Sequence, residues 1–304
     1  MPIPTQAPLK FLDPEILRSL RSLDIAARLL VEGMYSSRHR CPHYGYSVEF
    51  KDYREYAPGD EPRLIDWKML ARTERHYVKR FEMESNMNVV IMLDVSGSMA
   101  YKPSDPARLT KFEYACYTAA SLAYLAARQQ DAPGLVAFDT EIRTFVPPRQ
   151  GQRHLFSLLS CLQSLVARGG TRVEECVAKS ALRLTQRGLV LLISDCHGDE
   201  DAITEAVRRM AARGHDVAVF HLVDMDEAEF PFQMLTSFRD IETGVEVMCD
   251  PLRQKRDYLG RFAAFRAKIR GGVVAGGADY RFIHTGMPIE SILREYLLYR
   301  RAAK

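Results

Sequence analysis

The sequence has no apolar run long enough to cross a membrane, which takes roughly 20 residues. The best candidate, residues 115–127, is shorter and includes Tyr, Thr and Ser. The first residues, MPIPTQAPLKF, lack the apolar core of a signal peptide. We therefore expect a cytoplasmic protein without a membrane span.

Motifs for nucleotide binding and nucleophilic catalysis are also missing. The chain contains no G-x-x-x-x-G-K-[ST], no G-x-G-x-x-G and no G-x-S-x-G sequence. The glycine-rich run 271–277 lacks the lysine and follows a predicted helix, which indicates a connecting turn. The six cysteines form no C-x-x-C pair, so neither a zinc knuckle nor a thioredoxin-like motif is present. We expect reduced thiols, as is usual in the cytosol.

The charge balance gives little reason to expect a polyanionic partner. The formal net charge of the 304 residues is only +3, so nucleic acid is not expected to bind. Apolar residues make up 47% and charged residues 27%, which is typical of a globular protein with an ordinary core.

The most informative stretch is NVVIMLDVSGSM, residues 88–99. The apolar run 89–93 predicts a strand buried on both faces, and Asp94, Ser96 and Ser98 follow it as D-x-S-x-S. Hydroxyl oxygens beside one or two carboxylates suit Mg²⁺, and Gly97 is expected to let the loop turn tightly. A polar turn after a strand, without any metal, is the alternative interpretation.

Two later stretches favour the metal interpretation. A Gly-Gly pair precedes Thr171, and the apolar run 189–194 predicts a second buried strand that ends at Asp195. Ligands of parallel sheets gather at the carboxyl ends of the strands, where the strand order reverses. Thr171 has a second interpretation, because together with Glu174 it forms a capping-box pattern for the next helix. Asp195-Cys196-His197 is a weak zinc candidate, because adjacent residues in a loop rarely point at one centre.

Strands and helices alternate along most of the chain, which predicts an α/β fold with a doubly wound, mostly parallel sheet. Residues 1–86 are predicted to hold a helix, with an apolar stripe over 14–34, and a β segment with strands near 47–50 and 76–81. Residues 87–304 form the main domain, with a β-hairpin near 237–247. Thr110 and Glu113 form a capping box ahead of a helix that reaches residue 130.

The five polar positions resemble the metal-ion-dependent adhesion site of von Willebrand factor type A domains, which have a Rossmann-like fold. An upstream signature runs through Glu49-Phe50, residues 54–67 (REYAPGDEPRLIDW) and Ala71-Arg72-Thr73. This signature resembles the bacterial family called domain of unknown function 58, which carries a type A domain. The resemblance implies Mg²⁺ or Mn²⁺ as the metal and the following ligands: Asp94, Ser96, Ser98, Thr171 and Asp195.

The resemblance also implies a function. The chain would be a Mg²⁺-dependent protein-binding module whose metal accepts a carboxylate from an Asp or Glu of the partner. The implied partner is an AAA+ ATPase of the MoxR group, with this chain as an adaptor or co-chaperone in the assembly or maturation of another complex. A Mg²⁺-dependent hydrolase of phosphate esters and a scaffold with an empty site are the alternatives. An enzyme is not expected, because Ser96 stands where a phosphotransferase site of this kind carries its second acid.

Overall fold

The computed structural model describes residues 48–55, 77–83, 87–105, 108–128, 130–239, 241, 244–287 and 289. The chain divides into two compact units, one spanning Tyr35–Asn86 and the other containing the described residues from Met87 onward. In the first unit, β1 (Val48–Glu55) pairs antiparallel with β2 (Tyr77–Met83), which confirms the predicted strands. The predicted helix over 14–34 lies outside the described residues. The division at residue 86 stays a prediction.

A six-stranded sheet forms the centre of the second unit. Its strands are β3 (Asn88–Asp94), β4 (Ala132–Phe138), β5 (Ile142–Val146), β6 (Gly188–Ser194), β7 (Asp216–Val223) and β10 (Asp279–His284). The strand order is β10-β7-β6-β3-β4-β5, and every pairing is parallel except that of the edge strand β5 with β4. This sheet confirms the predicted doubly wound, mostly parallel α/β class.

Helices cover both faces of the sheet. They are α1 (Lys111–Arg128), α2 (Gln152–Ser164), α3 (Val173–Arg183), α4 (Glu200–Ala212), α5 (Met225–Glu229) and α6 (Pro251–Ala275). One apolar cluster joins the sheet to α1 and α2, and a second joins it to α3, α4 and α6. Ile91 and Leu93 belong to the first cluster, whereas Val90 and Met92 belong to the second. Because alternate side chains point to opposite faces, β3 is buried on both, as its sequence predicts.

The strand order places a switch point beside β3. The chain moves from β3 to β4 and β5 on one side, then returns to β6 on the other side and continues to β7 and β10. The loops after β3 and β6 therefore leave in opposite directions, which opens a crevice at the carboxyl ends of these strands.

The pairing of two short strands on either side of residue 241 agrees with the hairpin predicted near 237–247. Strands β8 (Thr236–Arg239) and β9 (Glu246–Cys249) pair antiparallel, and Gly244 between them has a φ of 74°. Within the described part of the chain, no helix is both long and apolar enough to span a membrane.

Three expectations about helix limits are corrected. The sequence pattern predicts helices over 152–167 and 173–186, but α2 and α3 end earlier, at Ser164 and Arg183. The 271–277 run is not wholly a turn, because α6 continues to Ala275. A Cβ at Gly272 would lie 2.5 Å from Cγ2 of Thr204, so glycine here permits close packing of α6 on α4. The sequence pattern also predicts a helix over 289–300, which lies outside the described residues apart from residue 289.

Candidate metal centre

The loop after β3 folds back on its own carboxylate. The backbone N–H of Ser96 donates to Oδ1 of Asp94 at 2.9 Å, and both residues are fully buried. Residues Gly97–Ala100 then form one 3-10 turn. This turn places the hydroxyl of Ser98 3.0 Å from that of Ser96. The D-x-S-x-S spacing thus brings one carboxylate and two hydroxyls to the same end of the sheet.

Backbone hydrogen bonds hold this loop against the loop that precedes α3. The N–H of Gly97 donates to the carbonyl of Gly169 at 2.7 Å, and the N–H of Arg168 donates to the carbonyl of Val95 at 2.8 Å. The loop turns tightly at Gly97, as predicted, but Gly97 is not among the glycines with positive φ, so the turn does not depend on a left-handed backbone. The buried amide of Gly97 ties the two loops together.

Thr171 does not cap the helix that follows it. Arg172 is the N-cap of α3 and has no capping side-chain bond, so the capping-box interpretation is wrong here. The hydroxyl of Thr171 donates to Oδ2 of Asp94 at 3.4 Å. The backbone hydrogen bonds between the two loops explain why this hydroxyl faces Asp94, because they turn Thr171 toward β3. By contrast, the capping box of Thr110 with Glu113 is present ahead of α1.

The end of β6 supplies the second carboxylate. Asp195 is 2% exposed, and its side chain accepts a hydrogen bond from Ser98. The preceding residue, Ser194, donates its hydroxyl to Oδ2 of Asp94 at 2.6 Å. The structure therefore brings all five predicted site residues together at the carboxyl ends of β3 and β6. The sequence analysis does not assign Ser194 to the site. Its position at the end of a buried strand, directly before Asp195, could have indicated such a role.

The two carboxylates have opposite electrostatic surroundings. The pKa of Asp94 is raised to about 6, mainly by burial and also by the negative charge of Asp195. Hydrogen bonds from serine groups lower this pKa and offset part of the rise. Burial also raises the pKa of Asp195, but the positive charge of Lys111 outweighs it and leaves this pKa below its ordinary range. Asp195 therefore stays ionised to lower pH, whereas Asp94 takes up a proton near pH 6.

Lys111 is the main feature that sequence reasoning missed. Its ammonium is 1% exposed and donates to Oδ2 of Asp195 and to Oε1 of Glu227, each at 2.9 Å. Burial opposes its charge, but the two carboxylates raise the pKa of Lys111 above its usual value. The sequence could have indicated this role, because a lysine in the first turn of a helix is unfavourable with the helix dipole and is therefore expected to have a compensating partner.

The donor set fits Mg²⁺. Among the described residues, no group of three or more His, Cys, Asp and Glu side chains could hold a metal, so any site here depends on hydroxyls. Two adjacent ligands of an octahedral Mg²⁺, each about 2.1 Å from the ion, lie about 3.0 Å apart. The hydroxyls of Ser96 and Ser98 have this separation. His197 is exposed, whereas Cys196 is buried, so the weak zinc candidate gains no support.

Comparisons with solved structures find chains of low identity. An aerotolerance-related membrane protein from Bacteroides fragilis is 18% identical, with a TM-score of 0.49 over 72% of this chain and 100% of that chain. BatB from Bacteroides thetaiotaomicron is 19% identical, with the same TM-score and coverage. The SpRpn10 VWA domain is 14% identical, with a TM-score of 0.43 over 69% of this chain and 94% of that domain.

Sequence relatives cover almost the whole chain. "Uncharacterized protein Mb1516" of Mycobacterium bovis is 27% identical over 297 residues, which is 96% of this chain and 92% of that protein. "Uncharacterized protein Rv1480" of Mycobacterium tuberculosis matches to the same extent. The profile described as "Protein of unknown function DUF58" matches residues 52–268, more than half of the sequence. The chain therefore belongs to the DUF58 family.

Proposed function

We propose that this protein is a Mg²⁺-dependent protein-binding module. The observation that carries the proposal is the convergence of the two loops on Asp94, where the hydroxyls of Ser194 and Thr171 meet one carboxylate oxygen. These groups come from three separate parts of the sequence, and a polar turn after a single strand would not require them to meet. Mn²⁺ would suit the same oxygen ligands.

The residues have distinct roles in this proposal. Ser96 and Ser98 bind the ion directly, Asp94 and Asp195 supply charge directly or through water, and Thr171 binds in one of two states of the site. Mg²⁺ prefers six oxygen ligands and keeps several waters, so one position exchanges with a carboxylate from an Asp or Glu of the partner. Lys111 holds one oxygen of Asp195 at 2.9 Å and so fixes how that carboxylate faces the ion.

The partner follows from the family resemblance. We propose an AAA+ ATPase of the MoxR group, with this chain as an adaptor or co-chaperone in the assembly or maturation of another protein complex. Family analogy supports this step less directly than the site chemistry supports metal binding.

A hydrolase is the less favoured function. Hydrolysis needs a group that accepts a proton from water, and such a base works best with a pKa near the working pH. The ammonium of Lys111 stays protonated, because its two carboxylate partners raise its pKa. Asp195 is engaged by that ammonium, and Ser96 occupies the position of the second acid of a phosphotransferase. Asp94 has a pKa of about 6, but both of its oxygens already accept hydrogen bonds, from the N–H of Ser96 and from the hydroxyls of Thr171 and Ser194, so it is poorly placed to take a proton from water. The site therefore suits ligand binding better than proton transfer.

The test is a pull-down of the MoxR-type ATPase from the same cell with the full chain as bait. The arms are wild type, Asp94→Ala and Asp201→Ala, each with Mg²⁺ or with chelator. Asp201 is the matched control, because its side chain is 77% exposed in the first turn of α4. We expect recovery with Mg²⁺ from wild type and Asp201→Ala, and none from Asp94→Ala or with chelator.

Equal recovery of the ATPase in all arms would show that the metal centre is not the docking point. A parallel assay with phosphate esters addresses the alternative function. Mg²⁺-dependent turnover that disappears in Ser96→Ala would show that the protein acts as a hydrolase and would overturn the binding-module proposal.

A further inference from the structure

A pocket of about 380 Å³ opens next to the metal centre. Its lining includes Ser98 of the site and five aromatic rings, which belong to Tyr101, Phe230, Phe232, Phe238 and Tyr258. The volume is near the lower end of the roughly 300–1,000 Å³ range of ligand pockets, so it suits one large side chain. The pocket and the metal centre share Ser98, so a segment that reaches the ion also passes the pocket.

The rings form a preassembled wall. The centroid of Phe230 lies 4.6 Å from that of Tyr258 and 5.2 Å from that of Phe232, and Phe232 meets Phe238 edge-on at 5.0 Å. Phe230 ends α5 in the left-handed conformation, with a φ of 47°, which is unfavourable for a residue with a Cβ. The surrounding rings hold it there, so the wall exists before any ligand arrives.

The two acids that line the pocket are already paired with donors. Asp226 accepts from Arg108 at 2.6 Å and from the backbone N–H of Ser104 at 2.7 Å. Glu227 accepts from Lys111 at 2.9 Å and from the N–H of Asp224 at 2.7 Å. Every carboxylate oxygen of these two residues already accepts a hydrogen bond, so the pocket presents little uncompensated negative charge to a cation. An apolar ring meets an apolar aromatic wall and gains edge-to-face contacts.

The hairpin beside the pocket is unusually apolar at its surface. Phe238 of β8 contributes to the pocket, and apolar side chains on or next to this hairpin are largely exposed: Met234, Leu235, Val247 and Met248. Exposed apolar side chains that cluster in this way are typical of protein-binding surfaces. The hairpin therefore extends the contact area around the pocket.

We propose that this pocket receives an aromatic side chain of the same partner segment whose carboxylate completes the metal centre. This inference rests on the proposed function and adds a second specificity determinant to it. The recognised element is a short segment in which Asp or Glu stands within a few residues of Phe, Tyr or Trp. Phe232 and its neighbouring rings are binding residues in this arrangement.

The test uses capped synthetic peptides as probes, titrated into the full chain with saturating Mg²⁺ or chelator. One set places Phe directly after Asp or beyond one or two Gly spacers, and matched sets carry Ala or Lys instead. We expect the best-spaced Phe peptide to bind about tenfold or more tightly than its Ala counterpart, because burying a ring is worth at least one decade in affinity. Chelator abolishes binding of all sets.

Variants locate the effect. In Phe232→Ala the preference for Phe over Ala falls toward one, while the Mg²⁺-dependent affinity for the Ala peptide stays as in wild type. If Phe232→Ala folds poorly, Phe232→Trp replaces it in the test. Its larger ring fills the pocket, so the same loss of preference for the Phe peptide is expected. Phe156→Ala is the matched control, because Phe156 is a 54% exposed ring on α2 that does not line the pocket.

The outcomes separate this inference from the proposed function. Equal binding of Phe and Ala peptides, or a preference for Lys, overturns the aromatic pocket but leaves carboxylate binding at the metal intact. An equal loss for both peptides in Phe232→Ala also overturns it. If no peptide binds with Mg²⁺, the docking of a carboxylate at the metal fails, and the pocket inference fails with it.

Discussion

The ammonium of Lys111 lies 2.9 Å from Oδ2 of Asp195, and the two side chains are each 1% exposed. A second contact at 2.9 Å joins the same ammonium to Glu227, which caps α5. Lys111 therefore links the candidate metal centre to the lining of the aromatic pocket. It also supplies a fixed positive charge that keeps Asp195 ionised.

We predict that Lys111→Met lowers the free energy of unfolding by about 3–5 kcal/mol in chelator, because the variant leaves a buried carboxylate without its partner. Lys179→Met is the control, since Lys179 is 53% exposed and pairs with Glu175 one helical turn away. Its loss should stay within about 0.5 kcal/mol. Urea unfolding of both variants measures the difference, and similar small losses would contradict it.

We predict that Mg²⁺ stabilises the wild-type protein. At about a hundred times its dissociation constant, the ion should add about 2.7 kcal/mol to the free energy of unfolding. Asp94→Asn should lose this increment and yet be at least as stable as wild type in chelator, because it removes one of two mutually repelling buried charges. Thermal melts with Mg²⁺ and with chelator provide the measurement.

The control for this metal prediction is Asp201→Asn, which should keep the full Mg²⁺ increment because its side chain is exposed and pairs with Lys268 of α6. An increment of the same size in Asp94→Asn would place the stabilising ion somewhere else on the protein.

We predict that Asp131 makes stability fall with rising pH. Burial raises the pKa of Asp131 to about 7, although its Oδ1 accepts from the N–H of Met87 at 3.0 Å. A raised pKa means that the stabilising contribution is complete below the ordinary pKa of 3.8 and is lost as pH rises through about 7. Between about pH 6 and about pH 8 the expected loss is about 1.4 kcal/mol.

The measurement for Asp131 compares urea unfolding of wild type and Asp131→Asn at these two pH values. The Asn side chain keeps the acceptor for the N–H of Met87 but does not titrate. The difference in stability between the two proteins should therefore shift in favour of the variant at the higher pH. A difference that does not change with pH would refute the assignment.

Two adjacent glycines in α6 should respond in opposite directions. Gly272→Ala should destabilise by about 1–3 kcal/mol, because the new methyl would overlap Thr204 on α4. A Cβ at Gly271 meets nothing within 4 Å, so Gly271→Ala should stabilise the helix by about 0.5–1 kcal/mol. Thermal or urea unfolding compares the two, and a loss of the same size in both would contradict close packing as the cause.

The sequence by itself determined the type of fold. Unbroken apolar runs such as 89–93 predict strands buried on both faces, and their alternation with helical patterns predicts a parallel sheet. It also pointed to the five polar positions of the candidate site, because four of them lie at or shortly after the end of a predicted strand and Thr171 lies shortly before a helix. These signals are local, since periodicity and strand ends are set by residues close together in the chain.

The tertiary structure decided which local options were used. Thr171 had a possible cap and a possible ligand role, and the hydrogen bonds between the two loops turned its hydroxyl toward Asp94. Lys111 and Asp195 are 84 residues apart, and no periodicity connects them. Likewise, the rings of the pocket come together only when α5, the hairpin and α6 pack side by side. Contacts over such separations depend on the relative placement of whole elements, because short-range patterns carry no information about which distant side chains will meet.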